Sequence, residues 1–296
     1  MLKSFKEVMD KAQARDTRRL AVADAAGGSV IEALKEAADK DIIFPVLVGD
    51  PKKIQPIAEE KGLKNFELVE AFSPVEIGAK TVELVRNGQA DMIMKGKVST
   101  PVLMKAVLNK EKGLRKGKLL SHVAVTEVAN YPKLMLFTDG GINIQPDIKA
   151  KGDILKNAID LANGMGIERP KIAALSTIEN VNPDMPETVD AALLTKMGQR
   201  GQFGNVHIEG PIAVDVILSE AAKQAKNFDT ELTLDADIFL TPNISTCNMS
   251  IKFLIYLANA LVGGLVVGAT CPIVLLSRSD TADIKLASIA LAAALD

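Results

Sequence analysis

The residues best suited to chemistry lie near the end of the chain, in the stretch VVGATCPIVLLSRSDTADIKL, Val266–Leu286. Apolar residues give way there to Ser277 and Arg278, and Asp283 follows on the same stretch. Arginine grips a phosphate through two parallel hydrogen bonds, a serine hydroxyl donates to a developing negative charge, and a carboxylate accepts a proton. The order of residues predicts a buried strand, a polar turn and the start of a helix, an arrangement that binds anions in open α/β folds.

Ordinary helix capping explains the same residues equally well at this stage. Ser279 or Asp280 would be the N-cap residue, Asp283 would interact with the helix dipole, and Arg278 would form a surface ion pair. Such caps are common where a helix follows a polar turn. Both interpretations stay open for this stretch alone.

A second anion site is predicted after the strand Met92–Met94, where KGKVST leads into a helix. Gly96 lets the backbone approach a ligand, Lys97 supplies positive charge, and Ser99 and Thr100 offer hydroxyl groups beside helix N–H groups. The stretch is not a Walker A motif, because GxxxxGK is absent. A capped helix beside two solvated lysines is the alternative that stays open.

Two further strand ends open into polar residues. Asn143 follows the strand Leu134–Phe137 within FTDGGIN, although a DGG sequence is first of all a turn signal. Asn243 follows Ile238–Leu240 within LTPNISTCN, and an asparagine amide both donates and accepts hydrogen bonds. Ligands bind at the carboxyl ends of strands in open α/β sheets, so both are candidates beside the simpler role of a helix N-cap region around Asn243.

These stretches need a scaffold, and the hydrophobic pattern predicts one almost from end to end. Short β-branched or apolar runs alternate with longer helical patterns, which indicates an α/β fold of mostly parallel sheets with helices on both faces. The predicted strands are Leu20–Ala23, Phe44–Val48, Met92–Met94, Val123–Thr126, Leu134–Phe137, Ile172–Leu175, Ile238–Leu240 and Ile273–Leu276. The predicted helices include Ser29–Asp39, Pro74–Asn87, Pro101–Leu108, Asp153–Asn163 and Ile212–Lys226.

Composition narrows the functional classes. With 296 residues, 48% of them apolar, the chain has room for one or two globular domains, and a formal net charge of −2 marks neither a nucleic-acid binder nor a membrane-surface protein. The charged stretch Met1–Leu20 predicts a surface helix rather than a signal peptide, which together with a low cysteine count indicates the cytoplasm. Leu257–Leu276 is nearly free of charge, but Pro272 and several glycines favour a soluble helix, turn and strand over a membrane helix.

The chain holds two cysteines and two histidines, and neither set predicts a reactive centre. Cys247 and Cys271 have no obvious histidine partner in the sequence, so we expect both to be packing residues. His122 and His207 lack the spacing of metal ligands, and no metal site is predicted.

Five motifs together resemble the phosphate acetyl/butyryl transferase family. In order they are KGKVST, FTDGGIN, IEGPIAVDVILSEAA, ADIFLTPNISTCN and PIVLLSRSDTADI, and the similarity runs from about Leu20 to the C-terminus. The shorter, butyryltransferase-like branch is the closer match. The resemblance implies reversible transfer of a short-chain acyl group between coenzyme A and inorganic phosphate, with butyryl favoured and acetyl the alternative. It implies coenzyme A as a substrate, with no metal and no required cofactor.

The resemblance also implies an architecture. Two three-layer α/β domains would flank an active-site cleft, the first discontinuous and formed by residues 1–126 plus 267–296, the second by 127–266. We expect a homodimer or higher homo-oligomer that binds acyl-CoA and phosphate, and neither nucleic acid nor membrane.

Carried onto this sequence, the resemblance makes Ser277, Arg278 and Asp283 the catalytic residues. Asp283 would act as general base for the coenzyme A thiol, Ser277 would stabilise the tetrahedral oxyanion, and Arg278 would bind phosphate together with the KGKVST loop. The segment between Arg278 and Asp283 is one residue shorter than in the acetyltransferase branch, which leaves Asp280 as a rival base.

The predicted substrate-binding set extends beyond these three residues. Lys105 lies one residue from the place where the acetyltransferase branch carries a helix arginine. The full set is Gly96, Lys97, Ser99, Thr100, Lys105, Asn143 and Asn243. Two other classes stay open: a metal-dependent decarboxylating dehydrogenase-like enzyme, for which the sequence offers no convincing aspartate cluster, and a non-catalytic acyl-CoA binding protein.

Overall fold

The computed structural model describes residues 1–117, 119–275, 277 and 280–295. The predicted site residue Arg278 lies outside the described residues, as does the end of the predicted strand Ile273–Leu276. The other residues outside the described ranges are Lys118, Ser279 and Asp296.

Secondary structure covers most of the described chain. The strands are β1 (Arg18–Ala23), β2 (Ile43–Gly49), β3 (Glu67–Glu70), β4 (Met92–Lys95), β5 (Ser121–Glu127), β6 (Met135–Thr138), β7 (Lys171–Ser176), β8 (His207–Ala213), β9 (Ile238–Leu240), β10 (Leu261–Val267) and β11 (Ile273–Val274). The helices are α1 (Phe5–Gln13), α2 (Gly28–Asp39), α3 (Pro51–Lys61), α4 (Pro74–Arg86), α5 (Thr100–Val107), α6 (Ile148–Gly164), α7 (Pro186–Gln199), α8 (Val214–Leu218), α9 (Glu220–Ala225), α10 (Ile244–Ala258) and α11 (Ala282–Ala294).

The chain divides into two compact units. The terminal unit consists of Phe5–Lys118 with Gly263–Asp296, and the central unit consists of Met1–Ser4 with Leu119–Val262. The predicted boundaries after residues 126 and 266 fall inside β5 and β10. The division into 1–126 plus 267–296 and 127–266 stays a prediction.

The sheet of the terminal unit positions three loops side by side. Strands β3, β2, β1, β4 and β11 run parallel in that spatial order, and β10 pairs antiparallel with β11. Helices α1, α2 and α11 pack together, while α4 packs on α5 and on the sheet. Parallel strands end at the same edge of a sheet, so the loops that lead from β1, β4 and β11 into α2, α5 and α11 are neighbours.

The central unit contains a run of parallel strands and a core of its own. Strands β6, β9, β7 and β8 run parallel in that order, and β5 pairs antiparallel with β6. The rings of Phe137 and Phe239 stack with centroids 4.7 Å apart, and Tyr131 meets Phe239 edge-on. This α/β architecture, with mostly parallel strands, confirms the predicted fold class.

Most predicted elements are confirmed to within two residues, and α6 begins five residues before its predicted start at Asp153. The predicted helix Ile212–Lys226 is wrong in its start and in its continuity, since it forms two helices, α8 and α9, after the end of β8. Ile212 and Ala213 extend β8, because they pair in register with Leu175 and Ser176 of β7. Ser219 then adopts an extended conformation that separates α8 from α9, and its hydroxyl accepts the N–H of Ala222 as an N-cap. Local helical periodicity was outweighed by sheet pairing.

The apolar run Leu257–Leu276 also differs from its prediction of helix, turn and strand. Asn259, in a left-handed conformation, follows the end of α10, so the LVGGLVV segment forms strand β10 instead of a helix. Gly264 donates its N–H to the Ser288 hydroxyl within the terminal unit. A strand buried on both faces reads as a continuous apolar run, which periodicity alone does not separate from a buried helix. No helix among the described residues is long and apolar enough to span a membrane.

Candidate functional site

A cavity of about 730 Å³ lies in the terminal unit, where the loops after β1, β4 and β11 meet. Among the described residues that line it are three lysines and no carboxylate. The lining residues are Gly27, Gly28, Ser29, Val30, Lys95, Gly96, Lys97, Val98, Ser99, Thr100, Pro101, Ser277 and Lys285. Positive charge without a balancing carboxylate suits an anionic ligand.

Gly96 shapes the loop after β4 because no side chain fits there. A Cβ atom at Gly96 would lie 2.1 Å from the carbonyl oxygen of Asp24 and 2.7 Å from that of Ala23. The Gly96 N–H donates to the Ala23 carbonyl at 2.8 Å, and the Lys97 N–H donates to the Asp24 carbonyl at 2.8 Å. These bonds hold the KGKVST loop against the end of β1. Gly96 was expected to let the backbone approach a ligand, but the close approach that it allows is to the backbone of Ala23 and Asp24.

The loop then presents the N-terminus of α5 to the cavity. Ser99 is the N-cap residue but makes no side-chain capping bond, and Pro101 sits in the first turn. Both Ser99 and Thr100 line the cavity, so their hydroxyls lie beside a helix end that favours negative charge. Lys97 is exposed, and Lys95 donates to the Gly96 carbonyl at 3.2 Å.

The N-terminus of α2 forms a second wall, which the sequence analysis missed. Gly27 and Gly28 precede Ser29 at the start of this helix, and all three line the cavity. Gly27 lies near Lys97: a Cβ built on it would be 3.7 Å from Cε of that lysine. The sequence feature that could have revealed this wall is AAGGS, which follows the predicted strand Leu20–Ala23. It has the same order of strand, small residues and helix as the stretch KGKVST.

Ser277 brings the opening stretch of the sequence to the same cavity. Its N–H donates to the carboxylate of Asp280 at 2.6 Å, which closes the turn before α11. Thr281, not Ser279 or Asp280, is the N-cap of that helix, and its hydroxyl accepts the Ile284 N–H at 3.3 Å. Asp283 occupies the first turn of α11, is exposed, and is not one of the lining residues.

The cavity therefore gathers some of the predicted site residues and not others. Gly96, Lys97, Ser99, Thr100 and Ser277 lie together around it. Lys105 sits in the last turn of α5, exposed and outside the lining.

Asn143 and Asn243 belong to the central unit, where their side chains bond to protein. The buried carboxylate of Asp139 accepts the N–H groups of Gly141, Ile142 and Asn143 at 2.9–3.1 Å. The Asn143 amide donates to the same carboxylate at 2.6 Å and to the Leu120 carbonyl at 2.8 Å. The DGG turn is thus held closed by its own aspartate.

Asn243 caps α10, since its side-chain oxygen accepts the N–H and the hydroxyl of Thr246 at 3.0 and 3.1 Å. Its loop joins the DGG loop through a bond from the Ile244 N–H to the Ile144 carbonyl at 3.2 Å. Both asparagines thus lie in one loop cluster of the central unit.

The cysteines lie in packed surroundings, as predicted. Cys247 and Cys271 are both buried and form no disulfide. Burial raises the pKa of each thiol to about 12, so both are protonated at neutral pH and are poor nucleophiles. Within the described ranges, no three histidine, cysteine or carboxylate side chains come together as metal ligands would.

Comparison with known proteins supplies the family. Residues 75–293 match the phosphate acetyl/butaryl transferase family. The chain is 43% identical over 295 residues to the phosphate butyryltransferase of Clostridium acetobutylicum, covering 99% of this chain and 98% of that protein. It is 39% identical over 278 residues to the phosphate acetyltransferase of Thermotoga maritima, covering 93% and 94% of the two chains.

A solved structure agrees with these sequence relatives. The branched-chain phosphotransacylase from Enterococcus faecalis V583 superposes with a TM-score of 0.84 at 31% identity, covering 93% of this chain and 98% of that one. The chain belongs to the phosphate acetyl/butaryl transferase family.

Proposed function

We propose that this protein is a phosphate acyltransferase that interconverts a short-chain acyl-CoA plus inorganic phosphate with acyl phosphate plus coenzyme A. The observation that carries the proposal is a lysine-lined cavity at the helix N-termini, in a member of this family, with no carboxylate among its described lining residues. Butyryl is the favoured acyl group, because the relative named for butyryl transfer is 43% identical over nearly the whole chain. Acetyl is the alternative, supported by the relative at 39% identity.

The phosphate group of the substrate is proposed to bind against the N-terminus of α5. Gly96 holds that loop in place, Lys97 contributes charge, and Ser99 and Thr100 contribute hydroxyl donors. Arg278, proposed from the sequence, would add a bidentate contact. The cavity volume of about 730 Å³ leaves room beside a phosphate for an acyl group.

The reaction would be a direct exchange at the acyl carbon. The coenzyme A thiol loses its proton to a carboxylate, and its sulfur bonds to the acyl carbon. The bond from that carbon to the phosphate oxygen breaks, and phosphate leaves. The Ser277 hydroxyl, at the cavity, is proposed to stabilise the oxyanion of the tetrahedral intermediate. In reverse, bound phosphate attacks the thioester. High thiol pKa values argue against either cysteine as a covalent acyl carrier.

Asp283 is the proposed base and Asp280 its rival. The Asp280 carboxylate accepts the Ser277 N–H, which gives it a part in forming the turn. Asp283 is exposed in the first turn of α11. Asp283→Asn should therefore lower kcat while leaving the Tm in place, whereas Asp280→Asn should lower both. The opposite pattern would make Asp280 the base.

The remaining proposed substrate contacts are peripheral. Lys105, exposed on α5, would attract phosphate as a point charge. Asn143 and Asn243 would offer amide groups from the loops of the central unit. Their present bonds to Asp139 and Thr246 support a role in shaping those loops as well. We propose the domain division 1–126 plus 267–296 and 127–266 as the framework for these contacts.

A homodimer is proposed from the surface of α10. Of the fifteen residues in this helix, Cys247 and Ile251 are buried. Met249, Phe253, Tyr256 and Leu257 are 54–77% exposed. Four such side chains present on the order of 500 Å² of mostly apolar surface, a large part of the roughly 800 Å² that each subunit buries in a stable dimer. Lys252 is the one charged residue of the helix, so two copies would meet with little repulsion.

We also propose a cytoplasmic location from the low cysteine count.

The test is release of free thiol from butyryl-CoA with and without phosphate, repeated with acetyl-, propionyl- and branched acyl-CoA. We expect release that depends on phosphate, with butyryl-CoA among the better substrates. Phosphate-independent release would contradict the proposal. Dependence on a divalent metal and a nicotinamide would favour the dehydrogenase-like class, and tight coenzyme A binding without turnover would favour a non-catalytic binder.

A further inference from the structure

Lys285 lines the cavity, yet its side chain is almost completely withdrawn from solvent. The residue is 3% exposed and lies near the start of α11. Its ammonium group donates to the carbonyl oxygen of Asp280, the residue whose carboxylate fixes Ser277. No carboxylate of a described residue pairs with this ammonium. A buried cation with a carbonyl partner in place of a carboxylate needs a physical explanation.

The position of Lys285 is electrostatically unfavourable in the protein alone. The N-terminal end of a helix carries partial positive charge, so a cation there is repelled rather than attracted. Withdrawing an unpaired charge from water adds a further cost. An apolar residue such as its neighbours Ile284 and Leu286 would fit this buried helix face better. The lysine is therefore expected to have a partner that is not part of the polypeptide.

The surroundings of Lys285 indicate an anionic partner. Lys95 and Lys97 line the same cavity, together with the N-termini of α2 and α5, and the described lining residues include no carboxylate. An ammonium group has three donors, and the Asp280 carbonyl occupies one of them. No second acceptor for this ammonium lies among the described residues, and oxygen atoms of a bound ligand would occupy its other donors. The unfavourable electrostatic energy of these lysines and helix N-termini falls when an oxyanion binds in the cavity.

We propose that Lys285 is a binding residue for the phosphate group of the substrate, oriented by the Asp280 carbonyl. The identity of this substrate rests on the proposed function, whereas the anion site rests on the buried ammonium and the cavity around it. Inorganic phosphate and the phosphates of coenzyme A offer the same chemistry. The turn that orients Lys285 also carries Ser277, which favours the phosphate that takes part in the reaction.

The test compares Lys285→Gln, Lys285→Arg and Lys285→Met with the wild type. Glutamine removes the charge but still offers a donor to the Asp280 carbonyl, arginine retains the charge, and methionine removes both. Lys52→Gln is the matched control, because Lys52 is exposed on α3, outside the cavity lining. The measurements are the KM values for phosphate and for acyl-CoA, kcat, and the Tm with and without inorganic phosphate.

We expect Lys285→Gln and Lys285→Met to raise the KM for phosphate at least tenfold and to abolish most of the Tm increase that phosphate causes. Their Tm without phosphate should stay equal or rise, since a buried charge has been removed. Lys285→Arg should restore phosphate binding to within a few-fold, and Lys52→Gln should match the wild type.

A lower Tm with an unchanged phosphate effect would make Lys285 purely structural and overturn the proposal. A rise in the KM for acyl-CoA alone would assign it to coenzyme A, which also overturns it. If the wild type shows no phosphate-dependent turnover, the proposed function fails, but the phosphate effect on Tm still decides whether Lys285 holds an oxyanion.

Discussion

At the scale of single residues, several groups at the site have structural roles that their residue type alone does not reveal. Gly96 is needed because backbone oxygens occupy the space a side chain would fill. Ser99 precedes a helix but leaves its hydroxyl outside any capping bond, and the capping task at α11 falls to Thr281. Ser277 is positioned at the cavity through its N–H, which donates to the Asp280 carboxylate. Gly96 and Thr281 therefore help to build the cavity, whereas Ser99 and Ser277 line it.

Gly96→Ala tests the first of these roles. The added Cβ would lie 2.1 Å from the Asp24 carbonyl oxygen, so the loop must move. We expect the free energy of unfolding to fall by about 1–3 kcal/mol and acyl transfer to drop at least tenfold. Denaturant unfolding and the thiol-release assay measure the two effects.

The matched control is Gly152→Ala in α6, where a Cβ would make ordinary contacts of 3.8–3.9 Å with Phe203. Alanine in a helix interior should be neutral or stabilising there. Gly96→Ala with wild-type stability and activity would show that the loop tolerates displacement.

At the scale of elements, the cavity is a product of strand order. The β1, β4 and β11 strands are neighbours in the sheet although β11 is far along the chain, and residues that follow each of them line the same cavity. The alternating pattern was enough to predict these strands and the α2 and α5 helices. It was not enough at Ile212–Lys226 or Leu257–Leu276, because pairing with a distant strand and burial on both faces are not visible in local periodicity.

Asn243 provides a test of whether a helix cap also binds substrate. Asn243→Ala removes the bonds to Thr246 and should lower the free energy of unfolding by about 1 kcal/mol. Asn243→Ser retains a cap and should restore stability. If Asn243 also binds substrate, both variants will raise a substrate KM, whereas a pure cap predicts normal KM values for Asn243→Ser.

Ser245→Ala is the matched control for Asn243, since Ser245 is exposed in the first turn of the same helix. It should leave both the Tm and the KM values in place. Loss of stability in Asn243→Ser equal to that in Asn243→Ala would show that the capping bonds contribute little.

At the scale of the whole molecule, the sequence motifs predicted the family, whereas the fold showed which residues lie together. Five ordered motifs were enough to predict the family. The predicted site residues Gly96, Lys97, Ser99, Thr100 and Ser277 line one cavity, and their roles stay predictions. The wall formed by Gly27, Gly28 and Ser29 was missed because glycines after a strand read as a turn, and Lys285 was missed because it sits in an apolar helical run. Lys285 is unusual because it is buried, and burial cannot be read directly from a single sequence.

The α10 surface predicts the state of association. The wild type should sediment as a dimer at micromolar concentration, and Phe253→Lys with Leu257→Lys should give a folded monomer, because charges would replace exposed apolar side chains at the contact. Analytical ultracentrifugation and far-UV circular dichroism check both points.

Val75→Lys is the control for association, since Val75 is 74% exposed on α4 of the terminal unit. It should leave the dimer intact. A monomeric wild type, or a double variant that remains dimeric, would rule out α10 as the contact.

The central claim is that phosphate itself accepts the acyl group, and ³¹P NMR of the wild-type protein with butyryl-CoA and inorganic phosphate tests it most directly. The account predicts a new acyl phosphate resonance that grows in step with free coenzyme A, and that is lost in Ser277→Ala. Coenzyme A release without any acyl phosphate, with free butyrate as the product, would contradict it.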